Sequence, residues 1–180
     1  MLDNTIYKED VVENYKIVTP EAIEEALKTG KLKQTIFGTG CFWSPDSNFG
    51  GRPGVVQTRV GYAGASTLEP SYRDIKGHAE VVRVVYDSDQ ISYRELLGNF
   101  ESWIVHDRKQ GQYRQILFVF DREQKQVAEE LIQAIGKENA PEVIEVGEQN
   151  GTFWAGEDYH QKYRLRRNKT LVSLAEQEFG

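Results

Sequence analysis

The chain has a single cysteine, Cys41, among 180 residues. One thiol excludes an internal disulfide, so the fold has to rest on its core. No apolar run reaches the roughly 18 residues that a membrane-spanning helix needs. Met1 to Asp10 carries charge throughout and has no apolar signal core. Histidine is scarce: His78, His106 and His160 are the only ones, and no two have His-x-x-x-His spacing. No zinc-type ligand pattern is therefore present, and no metal is expected at Glu157-Asp158-Tyr159-His160. A Walker lysine is missing. Gly38-Thr39-Gly40 also lacks the third glycine of the dinucleotide fingerprint, because Trp43 stands in its place. Basic residues are in the minority, 22 Lys and Arg against 28 Asp and Glu, a net charge of -6. That balance argues against a general nucleic-acid or anionic-membrane binder. The expectation is a cytoplasmic, soluble protein without organic cofactor.

What is present suits one domain over residues 1–180, with residues 1–33 as an N-terminal extension and helix. Thr19-Pro20-Glu21-Ala22 reads as a capped helix start, with Ala22, Ile23, Ala26 and Leu27 as its stripe and Gly30 as its stop. Gln34 to Phe37 is a short strand, Cys41 to Phe49 a helix stopped by Gly50-Gly51, and Val55 to Tyr62 a strand. Gly64 to Gly77 is a loop, Ala79 to Tyr86 a valine-rich strand and Ser92 to Trp103 a helix. Gln115 to Phe120 is a strand, Arg122 to Ile135 an amphipathic helix and Glu142 to Val146 a last strand. Asn150 to Gly156 is loop, Glu157 to Tyr163 a helical or irregular tail, and Leu171 to Phe179 a final helix. From Gln34 to Phe120 the order is strand-helix-strand-strand-helix-strand. The expected class is therefore α+β: a mixed sheet in a two-layer sandwich, with a split βαβ (ferredoxin-like) core and helices on one face.

The chemistry centres on Gly38-Thr39-Gly40-Cys41-Phe42-Trp43-Ser44-Pro45-Asp46. A lone cysteine is most often a small buried hydrophobe. Here it follows a glycine turn and precedes Pro45 and Asp46, both first-turn residues of a helix. A thiol at the positive end of a helix dipole favours the thiolate. Phe42 and Trp43 supply an apolar wall beside it, if they are exposed.

Gly-Cys-Phe-Trp is followed in order by Gly61-Tyr62-Ala63-Gly64, Pro70-Ser71-Tyr72, Gly77-His78-Ala79-Glu80, Gln112-Tyr113-Arg114 and Glu157-Asp158-Tyr159-His160-Gln161-Lys162-Tyr163. This series resembles the A-type peptide methionine sulfoxide reductases over about Gln34 to Tyr163. The resemblance implies that Cys41 attacks the sulfur of the S epimer of methionine sulfoxide, free or in oxidised proteins. It implies that Phe42 and Trp43 hold the substrate methyl group, that Glu80 is the acid, and that Tyr62 and Tyr113 bind the sulfoxide oxygen. Asp107 would bind the substrate backbone, in a loop from His106 to Tyr113 shorter than the family's. His78 reads as a structural neighbour, and the Glu157–Tyr163 motif as packing that helps line the site. Independently of the resemblance, Glu80 shares a strand face with Val82, Val84 and Tyr86. A carboxyl there is either at a solvated edge or buried with a raised pKa that lets it hold a proton.

Two departures stand out. Ser44-Pro45-Asp46 replaces the family's more usual Gly-Val-Glu, and the resolving cysteines that many members carry are missing. A sulfenic acid formed on Cys41 needs an external reductant, such as thioredoxin, glutaredoxin or a small thiol. Two other functions compete: a non-catalytic methionine or sulfoxide-binding module, and a Cys41-based redox sensor or thiol peroxidase.

Overall fold

A computed structural model describes residues 7–9, 14–16, 19–101, 110–147 and 152–168 of the chain. The sequence expectations for Asp107, for the end of the Ser92–Trp103 helix and for the Leu171–Phe179 helix lie outside these residues.

A short antiparallel hairpin, β1 (Tyr7–Glu9) and β2 (Asn14–Lys16), comes first. Helix α1 (Pro20–Lys28) starts as its sequence dictates. The Thr19 hydroxyl accepts the Ala22 N–H at 3.3 Å, and Pro20 occupies a first-turn position where no amide hydrogen is missed. The chain then builds β3 (Lys33–Thr39), α2 (Trp43–Gly50), β4 (Val55–Ala63), β5 (Ala79–Tyr86), α3 (Tyr93–Glu101), β6 (Gln115–Val119), α4 (Arg122–Ile135), β7 (Glu142–Glu145), β8 (Trp154–Ala155) and α5 (Tyr163–Arg167). In α4 the Asp121 carboxylate caps the Gln124 N–H at 2.8 Å.

Strands β3 to β8 form one mixed sheet in the order β7-β6-β3-β5-β4-β8. Only the β6–β7 pair is parallel. Because β5 pairs antiparallel with both β3 and β4, those two strands run the same way with β5 between them. The class is α+β.

Alternation along the strands sorts the side chains onto two faces. Phe37, Val60, Tyr62, Val82, Val84, Tyr86, Leu117 and Val119 point to one, where they pack with Phe49 of α2, Leu96 and Leu97 of α3, and Val127, Ala128 and Leu131 of α4. Phe37 lies stacked between Phe49 and Tyr93, with centroids 5.1 and 6.1 Å away. The other face carries Ile36, Ala63, Ala79, Val81, Ile116 and Phe118, backed by Ile144 and Phe153. Helix α1 lies on this second side, with Ile23 against Val85. The expectation of helices on a single face is therefore corrected. Val85 follows Val84 in β5 and must point the opposite way, so the apolar stripe of α1 finds its partner behind the sheet.

Candidate active site

Strand β3 delivers Cys41 to the edge of the core. Gly40 has φ +87°, a conformation that costs other residues a steric penalty. The chain turns there and leaves the Cys41 thiol exposed. Helix α2 begins two residues later than its sequence suggests, with Phe42 at the cap position and no side-chain cap of its own. Phe42 itself is buried in the core, between Tyr62 (6.1 Å between ring centroids) and His160 (5.1 Å). Only Trp43, half-buried, offers an aromatic wall. The Trp43 indole stacks on Tyr163 at 3.9 Å, and the Arg167 guanidinium covers the Tyr163 ring at 4.5 Å. Its Nε1–H donates to His160 Nδ1 at 3.1 Å.

Glu80 lies directly beneath this turn. It stands on the core face of β5, opposite Tyr62 of β4, and is 1% exposed. Its Oε2 accepts the Phe42 N–H at 3.2 Å, and its Oε1 accepts Gln112 Nε2 at 3.1 Å. Burial pushes the carboxyl above its ordinary pKa, although the two hydrogen bonds oppose the shift. The Glu80 N–H also donates to Gln112 O at 2.7 Å. The turn that carries Tyr113 is thereby clamped to the strand that carries Glu80.

The tyrosines divide. Tyr62 is 0% exposed, and its hydroxyl donates to Glu157 Oε2 at 2.7 Å. Burial, and then the Glu157 carboxylate, raise its pKa far above the ordinary phenol. Its phenol faces an acceptor, not the open cleft. Tyr113 is 39% exposed; burial raises its pKa first, followed by the negative charges of Glu80, Tyr72 and Cys41. Tyr72, in the 64–77 loop, is 40% exposed, and its backbone N–H donates to Glu157 Oε1 at 2.9 Å. The sequence reading quoted Tyr72 within a motif and gave the oxygen-binding role to Tyr62 and Tyr113; of the three, Tyr62 is the one buried. A tyrosine inside a nine-residue strand alternates into the core, whereas one after Pro70 in a turn-rich loop does not.

Glu157 thus holds both tyrosines. Burial alone would raise its pKa, but the Tyr72 N–H and Tyr62 O–H outweigh it and keep the carboxyl below the usual range. The rest of the C-terminal motif is anchored as firmly. Gln161 brackets Val60, accepting its N–H at 3.1 Å and donating to its carbonyl at 2.9 Å. Lys162 donates through Nζ to Asp46 Oδ1 at 2.7 Å and through its backbone N–H to Asp46 Oδ2 at 3.0 Å. Asp46, which departs from the family's glutamate, therefore ties the first turn of α2 to the start of α5. His78 is buried, with Nε2 2.9 Å from the Thr67 carbonyl, and so pins the loop that bears Tyr72.

An exposed thiol with a carboxyl whose pKa burial raises, beneath the next residue, suits attack on a centre whose departing atom must be protonated. That is the arrangement a cysteine-nucleophile enzyme uses. A family model for peptide methionine sulfoxide reductase matches residues 33–178. The peptide methionine sulfoxide reductase MsrA of Methanoculleus marisnigri is 42% identical over 153 residues, which cover 76% of this chain and 91% of that protein. MsrA of Deinococcus radiodurans is 41% identical over 147 residues, 73% of this chain and 70% of that one. Among solved structures, methionine sulfoxide reductase A of Corynebacterium diphtheriae superposes with a TM-score of 0.60 at 28% identity, over 77% of this chain and 76% of that chain. The reduced form of Mxr1 from Saccharomyces cerevisiae also gives 0.60, at 29% identity, over 77% and 87%. The chain belongs to the A-type peptide methionine sulfoxide reductase family. Its activity is the reduction of methionine sulfoxide to methionine, which favours catalysis over the binding-module and redox-sensor alternatives.

Proposed function

We propose that the reaction takes the S epimer and runs through Cys41, with Glu80 as the proton donor. The observation that carries this reading is the hydrogen bond from the Phe42 N–H to Glu80, which sets a buried, proton-favouring carboxyl beside the nucleophile. The Cys41 sulfur attacks the sulfoxide sulfur while Glu80 protonates the oxygen. The S–O bond breaks and the oxygen departs as hydroxide, leaving the Cys41 sulfur bonded to the substrate sulfur. Hydroxide then attacks the Cys41 sulfur and breaks that S–S bond, so the substrate, two electrons richer, leaves as the thioether and Cys41, two poorer, becomes the sulfenic acid. The half-exposed tyrosines Tyr72 and Tyr113 hydrogen-bond the oxygen through their hydroxyls as its charge develops. Trp43 packs against the substrate methyl, with Phe42 as the buried support behind it. Tyr62 acts one step back, by fixing Glu157 and through it the Tyr72 loop. Asp107 keeps the role of contacting the substrate backbone.

Cys41 is the only thiol in the chain, so an external dithiol must return the sulfenic acid to the thiol. Thioredoxin, glutaredoxin or a small dithiol would each serve, releasing water and its own disulfide. The exposed rim suits a sulfoxide in a flexible protein segment as well as the free amino acid. A lone exposed thiol of this kind works where the surroundings are reducing, as in the cytoplasm. The β6-β3-β5-β4 portion of the sheet, with α2 and α3 in the connections, reads as a split βαβ core in one domain over residues 1–180. The test is turnover of an S-sulfoxide peptide with dithiothreitol as reductant. Wild type turns over, whereas Cys41→Ser does not; turnover by Cys41→Ser would overturn the assignment.

A further inference from the structure

His160 belongs to a motif that sequence reasoning treated as packing, yet it sits where aromatic walls from three parts of the chain converge. Ring centroids of Tyr159, Tyr72, Phe42 and Trp43 lie 4.2, 4.6, 5.1 and 5.8 Å from its own. The imidazole is 1% exposed. Its one polar partner among the described residues is the Trp43 indole N–H, which approaches Nδ1 at 3.1 Å. An indole nitrogen only donates, so Nδ1 must carry a lone pair. The ring proton of neutral His160 is therefore on Nε2, which is buried without a partner among the described residues. A second proton has no place here, since an Nδ1–H would face the indole N–H donor to donor.

We propose that His160 is a positioning residue: its neutral Nε2–H tautomer holds the Trp43 indole in register as the wall of the substrate-methyl pocket, and protonation of His160 releases that wall. The inference rests on the Cys41 reading given above, and adds to it a residue that acts only through Trp43. The titratable groups facing the ring are Glu157 and Tyr159 from its own segment and Tyr72 from the 64–77 loop; Phe42 and Trp43, on the α2 side, do not titrate. Of these only Glu157 is anionic at neutral pH. Its pull toward protonation is weaker than the cost of burying the imidazolium, so the pKa of His160 falls below the ordinary value of 6.5. The pocket is thus assembled at neutral pH and comes apart in acid.

The direct readout is the NMR resonance of the Trp43 indole N–H, assigned by its loss in Trp43→Phe. In the wild type it should be protected from solvent exchange near neutrality and should titrate below pH 6.5 together with the His160 ring signals. His160→Asn places an amide oxygen where Nδ1 stood. It should keep the protected indole signal and near-normal kcat/KM, without the acid titration. His160→Phe keeps an aromatic ring but no acceptor. It should lose the protected signal and about tenfold in kcat/KM for an S-sulfoxide peptide, while Cys41 still reacts with iodoacetamide at the wild-type rate. A wild-type indole signal that ignores pH between 4 and 7, or the same acid titration of the indole signal retained in His160→Asn, would overturn the proposal. The wild-type titration needs no variant to fold. Because the indole signal is independent of turnover, failure of the sulfoxide chemistry and failure of the His160–Trp43 coupling are read separately.

Discussion

Glu80 accepts the backbone N–H of Phe42 at 3.2 Å, which ties the residue directly after the nucleophile to a carboxyl that burial has made reluctant to ionise. Two consequences follow from that contact, one for rate and one for stability. Glu80→Gln keeps an acceptor for Phe42 but cannot supply a proton. Sulfoxide reduction should fall by on the order of 10²–10⁴ in kcat. The stability effect has the opposite sign. A carboxyl whose folded pKa lies above its unfolded value stabilises the fold when protonated, and that contribution is lost as pH rises through the folded pKa. Near pH 7, Glu80→Gln should therefore melt at a higher temperature than wild type, and the gap should close as pH falls below the ordinary 4.5 of the carboxyl. Thermal denaturation of both proteins between pH 4 and 8 checks it.

The three tyrosines should separate in their signatures. Tyr62→Phe removes a buried donor from Glu157 and should cost about 1–3 kcal/mol of stability. Tyr72→Phe and Tyr113→Phe alter half-exposed side chains and should cost less stability than Tyr62→Phe, while each lowers the reduction rate by on the order of 10². Paired urea melts and single-turnover rates would show the split. A Tyr62→Phe protein that keeps its stability but loses the chemical step would reverse the assignment of roles.

Much of this site was readable before any coordinates, and the misses have physical causes. The alternation Glu80-Val82-Val84-Tyr86 put the carboxyl on one face with the valines, because strand periodicity is a local property, but left open whether that position was a solvated edge or buried. The α1 start was equally local, written in Thr19-Pro20. What the chain could not announce was depth. Phe42 follows the exposed Cys41 directly, and only tertiary packing against Tyr62 and His160 buries it. The extra helix layer was hidden for a similar reason: the stripe of α1 says that it packs, not on which side of the sheet. The Asp46–Lys162 pair joins residues far apart in the chain, and no short-range signal reports such a bond.

That pair makes a prediction of its own. Asp46 is buried, and its carboxylate holds the Lys162 ammonium, the Lys162 N–H and, at 2.6 Å, the Thr58 hydroxyl. Asp46→Ala leaves the lysine charge partly buried without its counter-ion and should cost about 3–5 kcal/mol. Because Lys162 leads into Tyr163 and the Trp43 stack, KM should rise with the loss of stability. Chemical denaturation and steady-state kinetics of Asp46→Ala test both.

Gly61 offers a test of how β8 is held. A Cβ there would stand 2.2 Å from the Trp154 carbonyl and 2.6 Å from the Phe153 ring. Gly61→Ala must push β8 off β4, at a cost of roughly 1–3 kcal/mol or more. Glu157 follows β8 by two residues, so the hold on Tyr62 and Tyr72 should loosen with it. Increased amide exchange at Tyr72 in Gly61→Ala is the expected outcome, measured against Gly98→Ala in α3, whose Cβ would meet nothing within 4 Å.

The measurement closest to the central claim is a single-turnover reaction with no reductant present. Reduced protein is mixed with a peptide carrying the S epimer of methionine sulfoxide, and both products are weighed by mass spectrometry. The account predicts about one methionine peptide formed per protein, with one oxygen gained on the peptide that contains Cys41. Bound sulfoxide with no methionine formed, or methionine formed without oxidation of Cys41, would contradict it.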